Sequence, residues 1–144
     1  MLTLDKIYQA SYALKTVIRR TDLISAPNIN PESHIFLKPE NLQVTGSFKV
    51  RGACFKIAQL TEEEKSHGVV ACSAGNHAQG VALSGAKLKI PAIIVMPTTT
   101  PDIKIDAVRR MGGNVVLFGN SFDEAYAESR RLAAEHGYTL IPPY

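Results

Sequence analysis

The chain has 144 residues, 45% of them hydrophobic and 20% charged, and a formal net charge of +3. That length is one domain or a piece of a larger one, and the apolar share excludes a disordered tail. Residues 1–72 carry nine Lys/Arg against seven Asp/Glu, and residues 73–144 seven against six, so neither half forms the polycationic face of a nucleic-acid reader.

In chain order, the first twenty residues read as an amphipathic helix, with Leu4, Ile7, Tyr8, Leu14 and Ile18 on one stripe. Asp5 and Lys6 interrupt any charged-then-apolar leader pattern, and the longest aliphatic run, Ala92 to Met96, is far too short to span a bilayer. The expected compartment is therefore the cytoplasm, with no membrane partner. Ala26 to Pro31 breaks regular structure, and a short strand, His34 to Lys38, is halted by Pro39.

From there a strand–helix alternation sets in. A helix is predicted from about Phe48 to Gln59. Thr61 and Glu64 have the spacing of a capping box for a brief helical turn. Strands follow at Val69–Cys72, Ala92–Met96, Val115–Phe118 and Tyr138–Ile141, with helices at Asn76–Leu88, Asp102–Met111 and Ser121–His136. Gly112 and Gly137 stand where a helix end favours a left-handed residue. The strand spacing of about 23–24 residues suits successive βαβ units. The strands read as continuous apolar runs, which implies burial on both faces. The expected fold class is thus α/β, an open parallel sheet with helices on both faces in three layers. Ligands of such sheets bind at the carboxyl ends of the strands.

Cys54 and Cys72 lack metal-ligand spacing and are expected as reduced, buried thiols, with no metal site. Two loops carry more. In Thr45-Gly46-Ser47-Phe48-Lys49-Val50-Arg51-Gly52-Ala53, Lys49 falls in the first turn of a helix whose expected N-cap is Ser47. The positive helix end disfavours an ammonium there by about 0.3–1 kcal/mol. Desolvation beside Phe48 would have to supply the rest for Lys49 to be the neutral amine that Schiff-base chemistry needs. A solvent-facing lysine fits the same residues, and Arg51 reads by default as an ion-pair partner of Glu40.

The second loop, Ser73-Ala74-Gly75-Asn76-His77-Ala78-Gln79-Gly80, joins a buried strand to a helix and exposes backbone N–H groups at its positive end, a cradle for a carboxylate or phosphate. An ordinary strand-to-helix turn is the competing account. The glycine spacing fits neither a P-loop nor a dinucleotide fingerprint. His77, by residue type, reads as a packed helix histidine.

The two loops together closely resemble the threonine dehydratase (threonine ammonia-lyase) and serine racemase group of fold-type II pyridoxal-phosphate enzymes, from about Ile35 to the terminal Ile141-Pro142-Pro143-Tyr144. Cysteine synthases of the same group differ at both loops, where Val50 and His77-Ala78 stand here. The resemblance implies pyridoxal 5'-phosphate as cofactor, held covalently by Lys49, which would then move the substrate α-proton. Phe48 would pack beside the cofactor, and Asn76 would hydrogen-bond the phenolic oxygen of its ring. Ser73, Ala74, Gly75, Asn76 and His77 would surround the substrate carboxylate.

The implied reaction is β-elimination on threonine or serine, giving a 2-oxo acid and ammonia. Serine racemase is the alternative enzyme, and a non-catalytic flavodoxin-like binding domain is the alternative of another class. Family members are more than twice as long, usually homo-oligomeric, and bind the cofactor phosphate in a later glycine-rich loop not found here. The chain is accordingly expected to be an N-terminal part that is inactive alone. Residues 43–144 would form the smaller cofactor lobe, and residues 1–42 would belong with the larger lobe.

Overall fold

The structure, a computed structural model, describes residues 1–143. The Thr3 side chain accepts from the Lys6 N–H and opens α1 (Leu4–Leu14). This helix is shorter than the expected twenty residues, because the Val17 and Ile18 N–H groups both turn back to the Leu14 carbonyl. Its apolar stripe also divides. Leu14 and Val17 are buried against Val50 and Cys54, whereas Leu4, Ile7 and Tyr8 face outward.

Two short strands, β1 (Ile24–Ser25) and β2 (Phe36–Leu37), pair antiparallel as a separate ribbon. The strand expected over His34–Lys38 is thus present but narrower, and it lies outside the main sheet. A five-stranded flavodoxin-like sheet is therefore not what forms.

The body follows as α2 (Lys49–Ala58), α3 (Glu62–His67), β3 (Val69–Cys72), α4 (Asn76–Leu88), β4 (Ala92–Met96), α5 (Asp102–Arg110), β5 (Asn114–Leu117), α6 (Phe122–His136) and β6 (Thr139–Leu140). The Thr61–Glu64 capping box closes reciprocally at α3. Gly112 and Gly137 take φ of +89° and +72°, as their helix-end positions predict.

All four body strands run parallel in the order β5-β4-β3-β6. Their side chains alternate between two cores. Val69, Ala71, Ile94 and Met96 meet Ile57, Val81, Ala82 and Val108 on one face, while Val70, Cys72 and Val95 meet Ala125 and Leu132 on the other. Three layers result, with α4 and α5 on one face, α2 packed on α4, and α6 on the other face. Burial on both faces holds for β3 and β4 but not for β5, whose residues are exposed or half-buried. The reason is coverage: α6 packs over β3, β4 and β6 and leaves the edge strand β5 half open.

The strand order places the site. The chain leaves β3 toward β4 and β5, then returns beneath the other face to β6 on the opposite side of β3. Between β3 and β6 is therefore the topological switch point, outside whose carboxyl ends a ligand crevice is expected.

Candidate active site

The ends of β3 and β6 border that crevice. The Ser73–Gly75 turn leaves the end of β3, and the Ile141 N–H donates to the Val70 carbonyl at 2.9 Å as the chain leaves β6. Lys49, the first residue of α2, lies against them. It lines a cavity of about 370 Å³ with Phe48, His77, Ile141, Pro142 and Pro143.

The local start of α2 differs from expectation. Phe48, not Ser47, is the N-cap; Ser47 Oγ accepts from the Lys49 N–H at 3.4 Å. Gly46, at φ +70°, folds the preceding turn back so that its N–H reaches the Gln43 carbonyl, and the helix starts later as a result. Phe48 is 59% exposed and presents a ring face 5.5 Å from Lys49 Nζ, so it does not enclose the amine in apolar surroundings. Lys49 Nζ instead donates to the Pro143 carbonyl at 2.5 Å.

His77 is 6% exposed, and its Nε2 lies 3.0 Å from the Ile141 carbonyl. Burial pushes its ring pKa down, the Ile141 carbonyl opposes this, and the Lys49 charge lowers it further. The packed-histidine reading thus describes its side chain, leaving only its backbone for a ligand. The exit segment after β6 therefore engages two site side chains through carbonyls two residues apart. Pro142 and Pro143 have fixed φ, which stiffens that segment.

The turn Ser73, Ala74, Gly75, Asn76 stands at the start of α4. Gly75 is the N-cap, with no side-chain cap bond, so the first-turn N–H groups of α4 remain available. The Gly75 N–H donates to Ser73 Oγ at 3.2 Å, and a Cβ at Gly75 would meet nothing within 4 Å. Lys49, Phe48 and His77 share one cavity; Ser73 to Asn76 do not line it but continue from His77 along the same helix start.

Two participants were not singled out by sequence. Carbonyls carry no side-chain signal, so the Ile141 and Pro143 acceptors had none. Tyr144 lies outside the described residues.

Beside the site, Arg51 forms a two-point ion pair with Glu40, both bonds 2.8 Å, as its default reading predicts. Cys54 and Cys72 are free and buried, and burial pushes both thiols up, Cys72 to about 11. Among the described residues no group of three or more His, Cys, Asp or Glu converges as a metal site would, and no helix is long and apolar enough to cross a membrane.

The family model described as "pyridoxal-phosphate dependent enzyme" matches residues 14–144. The L-threonine ammonia-lyase of Thermotoga maritima is 49% identical over 146 aligned positions, which cover 100% of this chain and 36% of that protein. Among solved structures, threonine deaminase isoform 2 of Solanum lycopersicum superposes with a TM-score of 0.87 at 42% identity, covering 99% of this chain and 41% of the other. The serine racemase of Dictyostelium discoideum gives 0.91 at 33% identity, covering 99% and 47%. The chain thus spans less than half the length of each of these relatives.

Proposed function

This chain belongs to the family of pyridoxal-phosphate dependent enzymes, and on that premise we propose that it is the N-terminal part of a dehydratase converting L-threonine to 2-oxobutanoate and ammonia by β-elimination, with serine as a second substrate. The observation that carries the reading is the cavity that Lys49 shares with His77, the second residue of α4, whose N-terminus has no side-chain cap.

The donor set suits an aldehyde cofactor together with an anionic amino-acid substrate. It offers the primary amines of Lys49 and Lys56 at the cavity, free N–H groups at a positive helix end, and open space before Gly75. Lys49 is the residue that would hold the cofactor covalently, with Phe48 beside it and Asn76 hydrogen-bonding its ring oxygen. When bound, the cofactor supplies an electron sink for the carbanion at the substrate Cα. Ser73, Ala74, Gly75, Asn76 and His77 bind and orient the substrate carboxylate, His77 through its backbone. The Lys49 amine moves the proton at Cα, after which the hydroxyl leaves Cβ; the released enamine takes up water to give the 2-oxo acid and ammonia. To act so, Lys49 must leave the Pro143 carbonyl.

On the same reading, residues 43–144 are the smaller lobe, and residues 1–42 pack against a larger lobe encoded by further chain. The whole protein is a cytoplasmic homo-oligomer, and the 144-residue chain alone has no dehydratase turnover. Borohydride reduction in the presence of pyridoxal phosphate, followed by peptide mapping, tests the site. The expected label is on Lys49, and label scattered over surface lysines would point to a non-catalytic binding domain. Threonine turnover by the 144-residue chain itself would contradict its assignment as an incomplete part. Chiral analysis of the product from L-serine with the whole protein separates a racemase, the fold of which superposes equally well, from a dehydratase.

A further inference from the structure

We infer that Gly80 is a positioning residue for Lys49, an inference that rests on the reading of Lys49 as the cofactor lysine. A Cβ built on Gly80 would lie 3.1 Å from both the Lys49 carbonyl carbon and the Val50 nitrogen, and 3.2 Å from the Lys49 carbonyl oxygen. The neighbouring atoms are backbone, not the yielding end of a side chain. The missing side chain thus lets α4 rest directly on the peptide that joins the first two residues of α2.

Other contacts fix the rest of this helix pair. Val81 and Ala82 of α4 share a buried core with Ala53 and Ile57 of α2. The two helices are therefore held by apolar packing, while at the end that carries the amine Gly80 meets the Lys49–Val50 peptide with no side chain between them. Adding a methyl group at Gly80 leaves the packed length in place and must move the Lys49–Val50 peptide outward by a few tenths of an ångström.

His77 and Asn76 lie one turn before Gly80 on the same helix. One glycine thus sets the spacing between the Lys49 backbone and the turn proposed to bind the carboxylate. In a helix interior alanine is intrinsically preferred over glycine, so Gly80 is an unfavourable choice for α4 alone. Its role is in the spacing.

The test compares the parent chain with Gly80→Ala and Gly85→Ala, each treated with pyridoxal phosphate and borohydride and mapped for the ratio of label on Lys49 to label on Lys56, which borders the same cavity. Gly85 is the control, since its Cβ would come 2.8 Å from the Ala92 Cβ and the Ile90 carbonyl oxygen, in the same helix but away from Lys49. Thermal melts accompany the labelling.

For Gly80→Ala the expected result is a folded chain whose Lys49 to Lys56 ratio falls about fivefold, on the scale by which small misplacements of a reacting group cost rate. Gly85→Ala should melt earlier with an unchanged ratio. An unchanged ratio in Gly80→Ala, an equal fall in Gly85→Ala, or a Gly80→Ala chain that does not fold would each overturn the inference, the last by making Gly80 a folding glycine. A parent chain with no preference for Lys49 would instead sink the functional reading and the inference with it. The parent's own ratio therefore tells the two failures apart.

Discussion

The sheet body and the N-terminal arm are built from similar residues and end in opposite states. In the body, Ile57, Val69, Val81, Ile94 and Val95 reach zero exposure. In the arm, Ile7 is 50% exposed and Tyr12 84%, and Leu4, Ile24, Phe36 and Leu37 also face outward. The proposed docking of residues 1–42 on further chain would cover this exposed apolar surface. What secures the arm is mostly polar. Glu40 holds Arg51 and accepts from Thr21 Oγ at 2.6 Å, and Gln43 bonds both the N–H and the carbonyl of Arg19 at 2.7 Å. Lys38 adds a bond to the Thr21 carbonyl. The body is stabilised by burial; the arm is pinned by a few directional bonds and one small cluster around Leu14 and Val17.

The largest expected effect breaks the body. Ile94→Ala should cost about 2–5 kcal/mol in urea unfolding, because it empties a fully buried position between β3 and β5. Ile7→Ala in the same chain should change stability by less than about 0.5 kcal/mol. Equal costs would show that the arm is packed as tightly as the body. If the arm docks on further chain as proposed, Ile7→Ala becomes costly only in a longer protein that contains it.

Next comes the pin. Glu40→Ala removes three charge-assisted bonds and should cost about 1–3 kcal/mol. Limited proteolysis should show faster cleavage within residues 1–42 and an intact body. The same carboxylate predicts an acid response. Its hydrogen bonds to Arg51, against the opposing effect of burial, hold its pKa down from 4.5 to about 2. The folded value lies below the unfolded one, so the unfolded chain binds the proton first. The stabilisation is complete above about pH 4.5 and is lost as pH falls toward about 2. Glu40→Gln should flatten the melting temperature across that window, and an unaltered acid slope would remove Glu40 as its cause.

The same contrast governed what the sequence could reveal. β3, β4 and α4 begin and end at the residues predicted; for β3 and β4 the reason is that uninterrupted apolar runs signal burial that tertiary structure then supplies. In the arm, a helical stripe was visible, but periodicity cannot say what a stripe packs against, and two-residue strands such as β1 are too short for any pattern. At the site, Lys49 and His77 were legible as residue types in the right loops. The cap falls at Phe48, one residue after the expected Ser47, because the turn made by Gly46 precedes the helix and residue preferences do not encode it. The carbonyls of Ile141 and Pro143 were invisible because every residue carries one; only the position of β6 beside β3 turns them toward the site.

The smallest effect lies on the body side and sharpens the comparison from within the site. His77 Nε2 faces a carbonyl, which can only accept, so in the neutral ring Nε2 carries the hydrogen and Nδ1 is the position left to take a second proton. Burial, the largest influence, keeps the folded pKa below the ordinary histidine value, with the Lys49 charge acting in the same direction. Below about pH 6.5 the unfolded chain therefore binds a proton that the folded chain resists, and the stability conferred by the neutral ring declines as pH falls. His77→Gln, which retains a donor toward Ile141, should remove this slope from the melting temperature between about pH 7 and pH 5. Over that interval Glu40 remains ionised in the folded chain, so proteolysis of residues 1–42 should not change. An arm that loosens in step with His77 would mean that the polar pin and the buried site unfold as one unit, and the division between arm and body would fail.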